Sequence, residues 1–261
     1  MGLLIPVQDN ASAPFALNHA RILHRNLLTG ATASAGSGSN PAFSLLPNTF
    51  ERFEFTATVT LTYVLPSNVT IDTVCVGAHN LGNKYSVLVS YKSTTGGAIV
   101  SFGAKTPTTN DAIMLHSAST ANIKELIITF TGSGSGYVGV TSAGIAMQMP
   151  RPFFSGHSPL PLSAVTQYSN SITETGQFVG REIKSRGFET SVSWDNLPSS
   201  FVRGDFFAFI QDAKLLPFFF AWNLLLYPDD VGYVAVNEDI TPTLNGKRTL
   251  MSVGFNLQGH G

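Results

Sequence analysis

The chain has 261 residues, of which 43% are hydrophobic and only 12% are charged, and its formal net charge is −1. Without a run of Lys and Arg, the composition argues against electrostatic binding to nucleic acid or to an anionic membrane. Cys75 is the single cysteine, which excludes an internal disulfide and a cysteine-based zinc site. The charged share is about half the usual one, and a weakly charged surface favours association with other copies.

The first residues, MGLLIPVQDN, do not combine a basic segment with a long apolar run, so we expect no signal peptide. No stretch approaches the roughly 20 apolar residues that a membrane helix needs. We therefore expect no insertion into a membrane.

The first 150 residues are predicted to form a β-sandwich or a jelly roll. Residues 18–23 are compatible with a short strand or one helical turn. From Phe53 to Leu65 apolar residues alternate with Glu and Thr, which predicts a strand with one buried face. Pro66 begins a predicted turn, and strands follow over 69–78, 85–91, 98–102, 112–116, 125–130, 137–140 and 145–149. Short strands separated by Gly- and Ser-rich turns, with no helix between them, are typical of a sandwich.

Residues 151–161 contain several prolines and read as a semi-rigid linker, so we predict a domain boundary there. The second domain, 162–261, is predicted to be mainly β with one α-helix. Residues 162–168 and 177–185 would form a hairpin. Phe188–Trp194 alternates as a strand, and a helix over about 200–214 follows, with apolar residues three or four apart. The run from Phe218 to Trp222 reads as a buried strand or an interface.

No set of residues in the chain predicts catalysis, a cofactor or a metal. His19 and His24 are five apart, a spacing that aligns two ligands on neither a helix nor a strand. There is no Gly-x-Ser-x-Gly motif, and the glycine-rich segment 132–136 lacks the Gly-Lys-Ser/Thr ending of a phosphate loop. Adjacent acidic residues in turns, such as Asp229 and Asp230, are typically solvated or cap a turn.

Several segments resemble structural proteins of tailed bacteriophages. The segment Val69–Gly82 is similar to one in minor tail proteins with a discoidin-like sandwich, a fold related to carbohydrate-binding modules, and 18–23 looks like its entry strand. The C-terminal half resembles tail-tip proteins of long-tailed phages, which implies a tail-tube-like β-barrel for residues 162–261. The segments that carry this second resemblance are Gly176–Arg181, Trp194–Trp222, Tyr227–Asp230 and Met251–Phe255.

The resemblance implies a distal-tail-type subunit of the virion tail tip and no enzyme. Such a subunit forms a ring, expected to hold six copies, that joins the tail tube protein to the baseplate hub protein. Its hairpin and its Phe-rich unit would make the subunit contacts, for which the candidate residues are Ile172, Phe178, Arg181, Phe201, Phe206, Phe218, Phe220 and Trp222.

Two other interpretations stay open. The sandwich could bind a host surface glycan as a receptor-recognition module, with His79, Asn80, Lys84 and Tyr91 as candidate contacts. Buried aromatic residues are, however, more common in a sandwich than exposed sugar-stacking ones. A glycan-degrading enzyme is the weakest interpretation, because a glycosidase needs two carboxylates across a cleft and no such pair stands out.

Overall fold

The computed structural model describes residues 18–152, 158–246 and 249–260. The chain is mainly β, as the sequence predicts, and two sheets hold its strands. The strands are β1 (Arg21–Leu23), β2 (Thr32–Ala35), β3 (Phe53–His79), β4 (Tyr85–Lys92), β5 (Val100–Lys105), β6 (Ile113–Gly144), β7 (Met147–Gln148), β8 (Ala164–Ile172), β9 (Phe178–Pro198), β10 (Phe218–Ala221), β11 (Val231–Val236), β12 (Thr243–Leu244) and β13 (Leu250–His260). The helices are α1 (Ser199–Arg203) and α2 (Asp205–Ala213), with short 3-10 turns at Pro41–Leu45 and Leu160–Leu162.

The first sheet, in the order β2-β3-β6-β4-β5, folds over on itself to make the predicted sandwich. Leu61 of β3 lies opposite Ile128 of β6, whereas Val74 further along β3 lies opposite both Leu115 and Ala143. β3 therefore contributes to two layers, and the apolar core lies between them. The predicted turn at Pro66 is a bend within β3, where the register with β6 shifts.

The second sheet has the order β7-β1-β10-β11-β13-β9-β8, with β12 paired to β13. Its described strands form an open sheet, which corrects the expected closed barrel. The segment 18–23 supplies strand β1, which lies between β7 and β10. Two strands that precede residue 151, β1 and β7, thus belong to the second sheet. The domain boundary predicted at 151–161 stays a prediction, and residues 153–157 lie outside the described residues.

The helix predicted over about 200–214 is present as α1 and α2, which Gly204 separates with a non-helical backbone. Phe206, Phe209, Ile210 and Ala213 share the buried face of α2, as their spacing predicts. This face packs on the second sheet.

Strand β10 lies in the middle of the molecule and is buried on both sides. Phe218 and Phe220 contribute to the core beneath the helices. Phe219 and Ala221 point the other way, because side chains alternate along a strand, and they join Cys75 in the core between the two sheets. The layers therefore run from the sandwich through the second sheet to the helices.

Candidate functional site

A two-stranded arm projects from the second sheet. Strand β9 pairs with β13 only from Gly187 onward, whereas its pairing with β8 continues out to Ile172 and Phe178. We call residues 165–186 the arm. Within it, β8 and β9 pair with each other and with no other described strand. Eight residues at about 3.3 Å each give a reach of roughly 25 Å. An isolated two-stranded hairpin is marginally stable in water, so packing against another surface would stabilise the arm.

The two faces of the arm differ in chemistry. The register places Tyr168 opposite Ile183, Asn170 opposite Arg181 and Ile172 opposite Phe178. Because side chains alternate, these residues share one face, which we call the apolar arm face. The opposite face carries Val165, Gln167, Ser169, Ser171 and Glu182, which are mostly polar. On the apolar arm face Ile172 is 62% exposed and Phe178 is 65% exposed, and the two lie opposite each other near the end of the arm.

Arg181 is held in place on the apolar arm face. Its Nε donates a hydrogen bond to Asn170 Oδ1 at 2.8 Å, and its guanidinium carbon lies 4.6 Å from the centre of the Tyr168 ring. Arg186, opposite Thr166, adds a second positive charge to the same face. The face is therefore apolar and basic.

Three of the predicted contact residues lie inside the protomer, which corrects the sequence interpretation. Phe206, Phe218 and Phe220 are at most 1% exposed, so they offer no surface to a neighbour. Phe206 and Phe218 pack around Phe209, with ring centres 5.3 and 4.9 Å from its own. The chain thus encloses these rings within its own core.

The other two aromatic candidates outside the arm, Phe201 and Trp222, are half-buried. Trp222 stacks on Tyr227 at 5.0 Å and donates from Nε1 to Asp230 Oδ2 at 3.0 Å. Phe201 packs 6.1 Å from Phe206 and lines a groove. That either residue contacts another subunit stays a prediction.

This groove, which we call the edge groove, lies at the opposite end of the second sheet from the arm. It has a volume of about 500 Å³. Met147 and Gln148 of the end strand β7, Ile145, and Phe201, Asp205 and Ala208 of the helices are among its lining residues. Its lining is mainly apolar, with one exposed acid, Asp205.

The four candidate glycan contacts do not form one site. His79 is 3% exposed. The Asn80 side chain is engaged, since it donates to Ser135 O at 3.2 Å and accepts from Tyr137 N at 2.7 Å. Lys84 just precedes β4 and Tyr91 lies near its end, so roughly 23 Å of strand separates them. These four residues therefore do not share one surface, and that any of them contacts a sugar stays a prediction.

A different set of polar and aromatic residues lines a cleft between the sandwich and the second sheet. This interlayer cleft has a volume of about 140 Å³, and Arg52, His79, Asp111, Tyr137 and Tyr233 are among its lining residues. The Arg52 guanidinium lies 4.2 Å from the centre of the Tyr137 ring. Burial lowers the pKa of His79 to about 4, although the backbone of Asp111 partly opposes this shift, so the ring is neutral at pH 7.

The described residues hold no group of three or more His, Cys, Asp or Glu side chains that could bind a metal ion. Within the same part of the chain, neither helix has the length and apolar character needed to cross a bilayer.

A scan against protein families finds no match, and no curated protein matches the chain. Among solved structures, the chain is similar to a family 32 carbohydrate-binding module of C. perfringens NanJ in complex with galactose. The identity is 13% and the TM-score 0.40, over 48% of this chain and 98% of the module. It is also similar to a chitosan-binding module of a Paenibacillus sp. IK-5 chitosanase/glucanase, with 18% identity and a TM-score of 0.40, over 46% and 98% of the two chains.

A third similar structure is a Ruminococcus gnavus GH29 fucosidase in complex with fucose, with 10% identity and a TM-score of 0.41. The match covers 47% of this chain and 27% of the fucosidase, so the chain spans about a quarter of that enzyme's length. These similarities concern fold alone, and the named sugars belong to those proteins. The sandwich predicted for residues 1–150 is described from the sheets of this chain itself. The resemblance to phage tail proteins stays a prediction.

Sequence reasoning identified the hairpin but missed the composition of its apolar face, to which Tyr168 and Ile183 also belong. Alternation within residues 164–172 was a usable signal, because Tyr168, Asn170 and Ile172 recur every second residue. No local signal identifies the edge groove, since its walls come from segments about 50 residues apart or more.

Proposed function

We propose that the chain is a structural subunit that assembles into a ring through its arm. In the setting that its sequence resembles, this would be a ring at the tail tip of a long-tailed phage virion, between the tail tube protein and the baseplate hub protein. The expected copy number is six. Assembly, rather than catalysis, would be its role.

The observation that carries this proposal is the apolar arm face. A ribbon reaching roughly 25 Å from the sheet, with Ile172 and Phe178 largely exposed at its end, leaves apolar surface that a monomer in water does not favour. Burying two such side chains stabilises a contact by about 1.5–3 kcal/mol each. An arm of this kind therefore supports a role in subunit contacts.

Electron microscopy of the purified chain, imaged alone and after mixing with tube protein, tests the proposal. Rings of uniform diameter with a central hole are expected. Single particles of one chain's size at every concentration, with or without tube protein, would contradict it. The proposal also includes no catalytic activity, and turnover of host envelope extracts by the purified chain would contradict that part.

A second candidate function is glycan binding at the interlayer cleft. Tyr137 and Tyr233 supply ring surface, and Arg52, Asn110 and Asp111 supply polar groups, which is the mixture that a small sugar site uses. The solved structures bound to galactose and to fucose agree with this candidate in fold alone.

A glycan array probed with the full chain tests this second candidate. Binding to one glycan class is expected, with loss in Asp111→Ala and retention in Lys84→Ala, whose side chain is exposed and does not line the cleft. Silence across the array and on the host's own polysaccharide would remove it.

A further inference from the structure

We propose that the edge groove of one copy receives the arm tip of a second copy. This inference rests on the proposed function, because it identifies the surface to which the arm binds. It commits to a second copy of this chain as the occupant of the groove.

The positions of the two surfaces favour a head-to-tail contact. The arm extends from β8, one end strand of the second sheet, and the groove lies beside β7, the other end strand. When donor and acceptor lie at opposite ends of one sheet, a single type of contact repeats from copy to copy. Such heterologous contacts form a ring when the rotation between neighbouring copies closes on itself, as the proposed function requires. An arm-to-arm contact would instead stop at a dimer.

The chemistry of the two surfaces is complementary. The apolar arm face combines Ile172 and Phe178 with Arg181 and Arg186, and its register places no Asp or Glu beside them. The groove combines Ile145, Met147 and Phe201 with Asp205, which is exposed. Each partner thus offers apolar surface and a charge of the opposite sign.

The basic residues of the groove are already engaged within the protomer. Arg25 Nε and His24 Nδ1 each lie 2.7 Å from Asp212 Oδ2, at the end of α2. Arg25 carries the positive charge, which Asp212 matches, while burial lowers the pKa of His24 and favours its neutral form. This group therefore opposes an incoming arginine less than an unpaired base would. Asp205 lies at the start of α2, about two helical turns earlier, and faces the groove.

The groove is also large enough for the arm tip. Its volume of about 500 Å³ lies within the range that encloses bound organic groups, so it can take the side chains of Ile172 and Phe178 together. The tip itself is well defined, because Gly176 N donates to Thr173 O and Thr173 N donates to Gln177 O, both at 2.9 Å. A preformed tip loses little freedom when it docks.

A charge-swap cycle between Arg181 and Asp205 tests the inference by sedimentation of the full chain. Arg181→Asp and Asp205→Arg are each expected to raise the apparent dissociation constant by about tenfold or more, and the double variant is expected to recover most of that loss. Glu182→Arg is the matched control, since Glu182 is the next residue but lies on the opposite arm face, and it should leave assembly unchanged. Thermal unfolding of each variant checks that the fold is retained.

Cross-linking provides a second readout that does not depend on the charges. With Val179→Cys at the arm and Ala208→Cys in the groove, a flexible bis-maleimide should link separately prepared copies into mixed dimers. A chain carrying both cysteines should give a ladder of higher multimers. Native Cys75 is fully buried, and burial raises the pKa of its thiol well above the usual value, so it should not compete.

The outcomes separate this inference from the proposed function. If the wild-type chain assembles but the double variant shows no recovery and mixed dimers do not form, the acceptor lies elsewhere while the assembly role stands. Dimers of the Val179→Cys chain alone would show an arm-to-arm contact and overturn the inference. A wild-type chain that never assembles would overturn both.

Discussion

The guanidinium of Arg181 lies over the ring of Tyr168, 4.6 Å from its centre, on an arm that has no other described strand beside it. This contact orders two large side chains on a surface that the protomer leaves exposed. A cation–π contact at an exposed site contributes about 0.5–1 kcal/mol, too little to support a ribbon of this length by itself. In the proposed assembly, the partner surface would supply the rest.

Replacing the apolar tip should abolish assembly without unfolding the chain. The double variant Ile172→Ser and Phe178→Ser removes the two most exposed apolar side chains of the apolar arm face. The substitutions should change the unfolding free energy of the protomer little, because both side chains are already largely in water. The mass measured by light scattering should fall to that of one chain. The variant should still unfold in one cooperative thermal transition, with a midpoint that does not depend on protein concentration. The control Val165→Ser, on the opposite face and 45% exposed, should keep the wild-type mass. An unchanged mass in the double variant would exclude the tip as a contact.

The buried phenylalanines should behave in the opposite way. Phe206→Ala creates a cavity among Phe201, Phe209 and Phe255 and is expected to cost about 3–5 kcal/mol of unfolding free energy. Urea denaturation measures this loss. The milder Phe206→Leu should remain folded and assemble as the wild type does, because this ring is fully enclosed in its own protomer. If a stably folded Phe206→Leu chain failed to assemble, the claim that Phe206 serves the core and makes no subunit contact would be wrong.

Gly77 should tolerate no side chain, because it sits where the sandwich meets the second sheet. A Cβ at this position would lie 2.9 Å from Phe219 Cε1 and 3.4 Å from Tyr233 Cβ. Gly77→Ala is expected to cost about 1–3 kcal/mol through overpacking, and adding Phe219→Leu should recover part of it. Gly180→Ala is the control, since nothing lies within 4 Å of its added Cβ. Equal urea midpoints for Gly77→Ala and wild type would show that the layers pack more loosely than described.

Acid should destabilise the fold through two buried histidines. Burial lowers the pKa of His79 to about 4, and burial together with nearby Arg21 lowers that of His116 to about 4, against an ordinary value of 6.5. Below pH 6.5 the unfolded chain binds protons that the folded chain does not, so stability falls as the pH drops towards 4 and is fully present above 6.5. Urea midpoints at pH 7.5 and pH 5 should show this loss. His116→Gln should reduce the difference between the two midpoints, and an undiminished difference would argue against a contribution from His116.

Local patterns in the sequence identified the elements that depend on local physics. The alternation from Phe53 to Leu65 matches the buried face of β3, apart from exposed Ala57, and the three- and four-residue spacing around Phe206 gave the buried face of α2. These local patterns do not predict which segments far apart in the chain pair with each other. Ile22 of β1 lies opposite Phe220 of β10, and that register depends on the packing of whole layers.

The same limit explains the errors in the predicted sites. The run from Phe218 to Trp222 read equally well as a buried strand or as an interface, and only the layers on its two sides show that Phe218 and Phe220 are covered. His79 is predicted to lie at the end of a strand, so its side chain is expected to be exposed. It is instead buried in a cleft that Asp111 and Tyr233 also line. Exposure is a property of tertiary packing, which local composition does not encode.

The central claim is that this chain assembles through its arm, and the mass of the wild-type chain in solution tests it most directly. Sedimentation equilibrium should be measured on the full chain over a concentration series, beside the chain with Ile172→Ser and Phe178→Ser. We predict one defined multiple of the 27.9 kDa chain, of three copies or more, for the wild type, and a single chain for the variant. A wild-type mass of 27.9 kDa that persists at the highest concentrations would contradict the account.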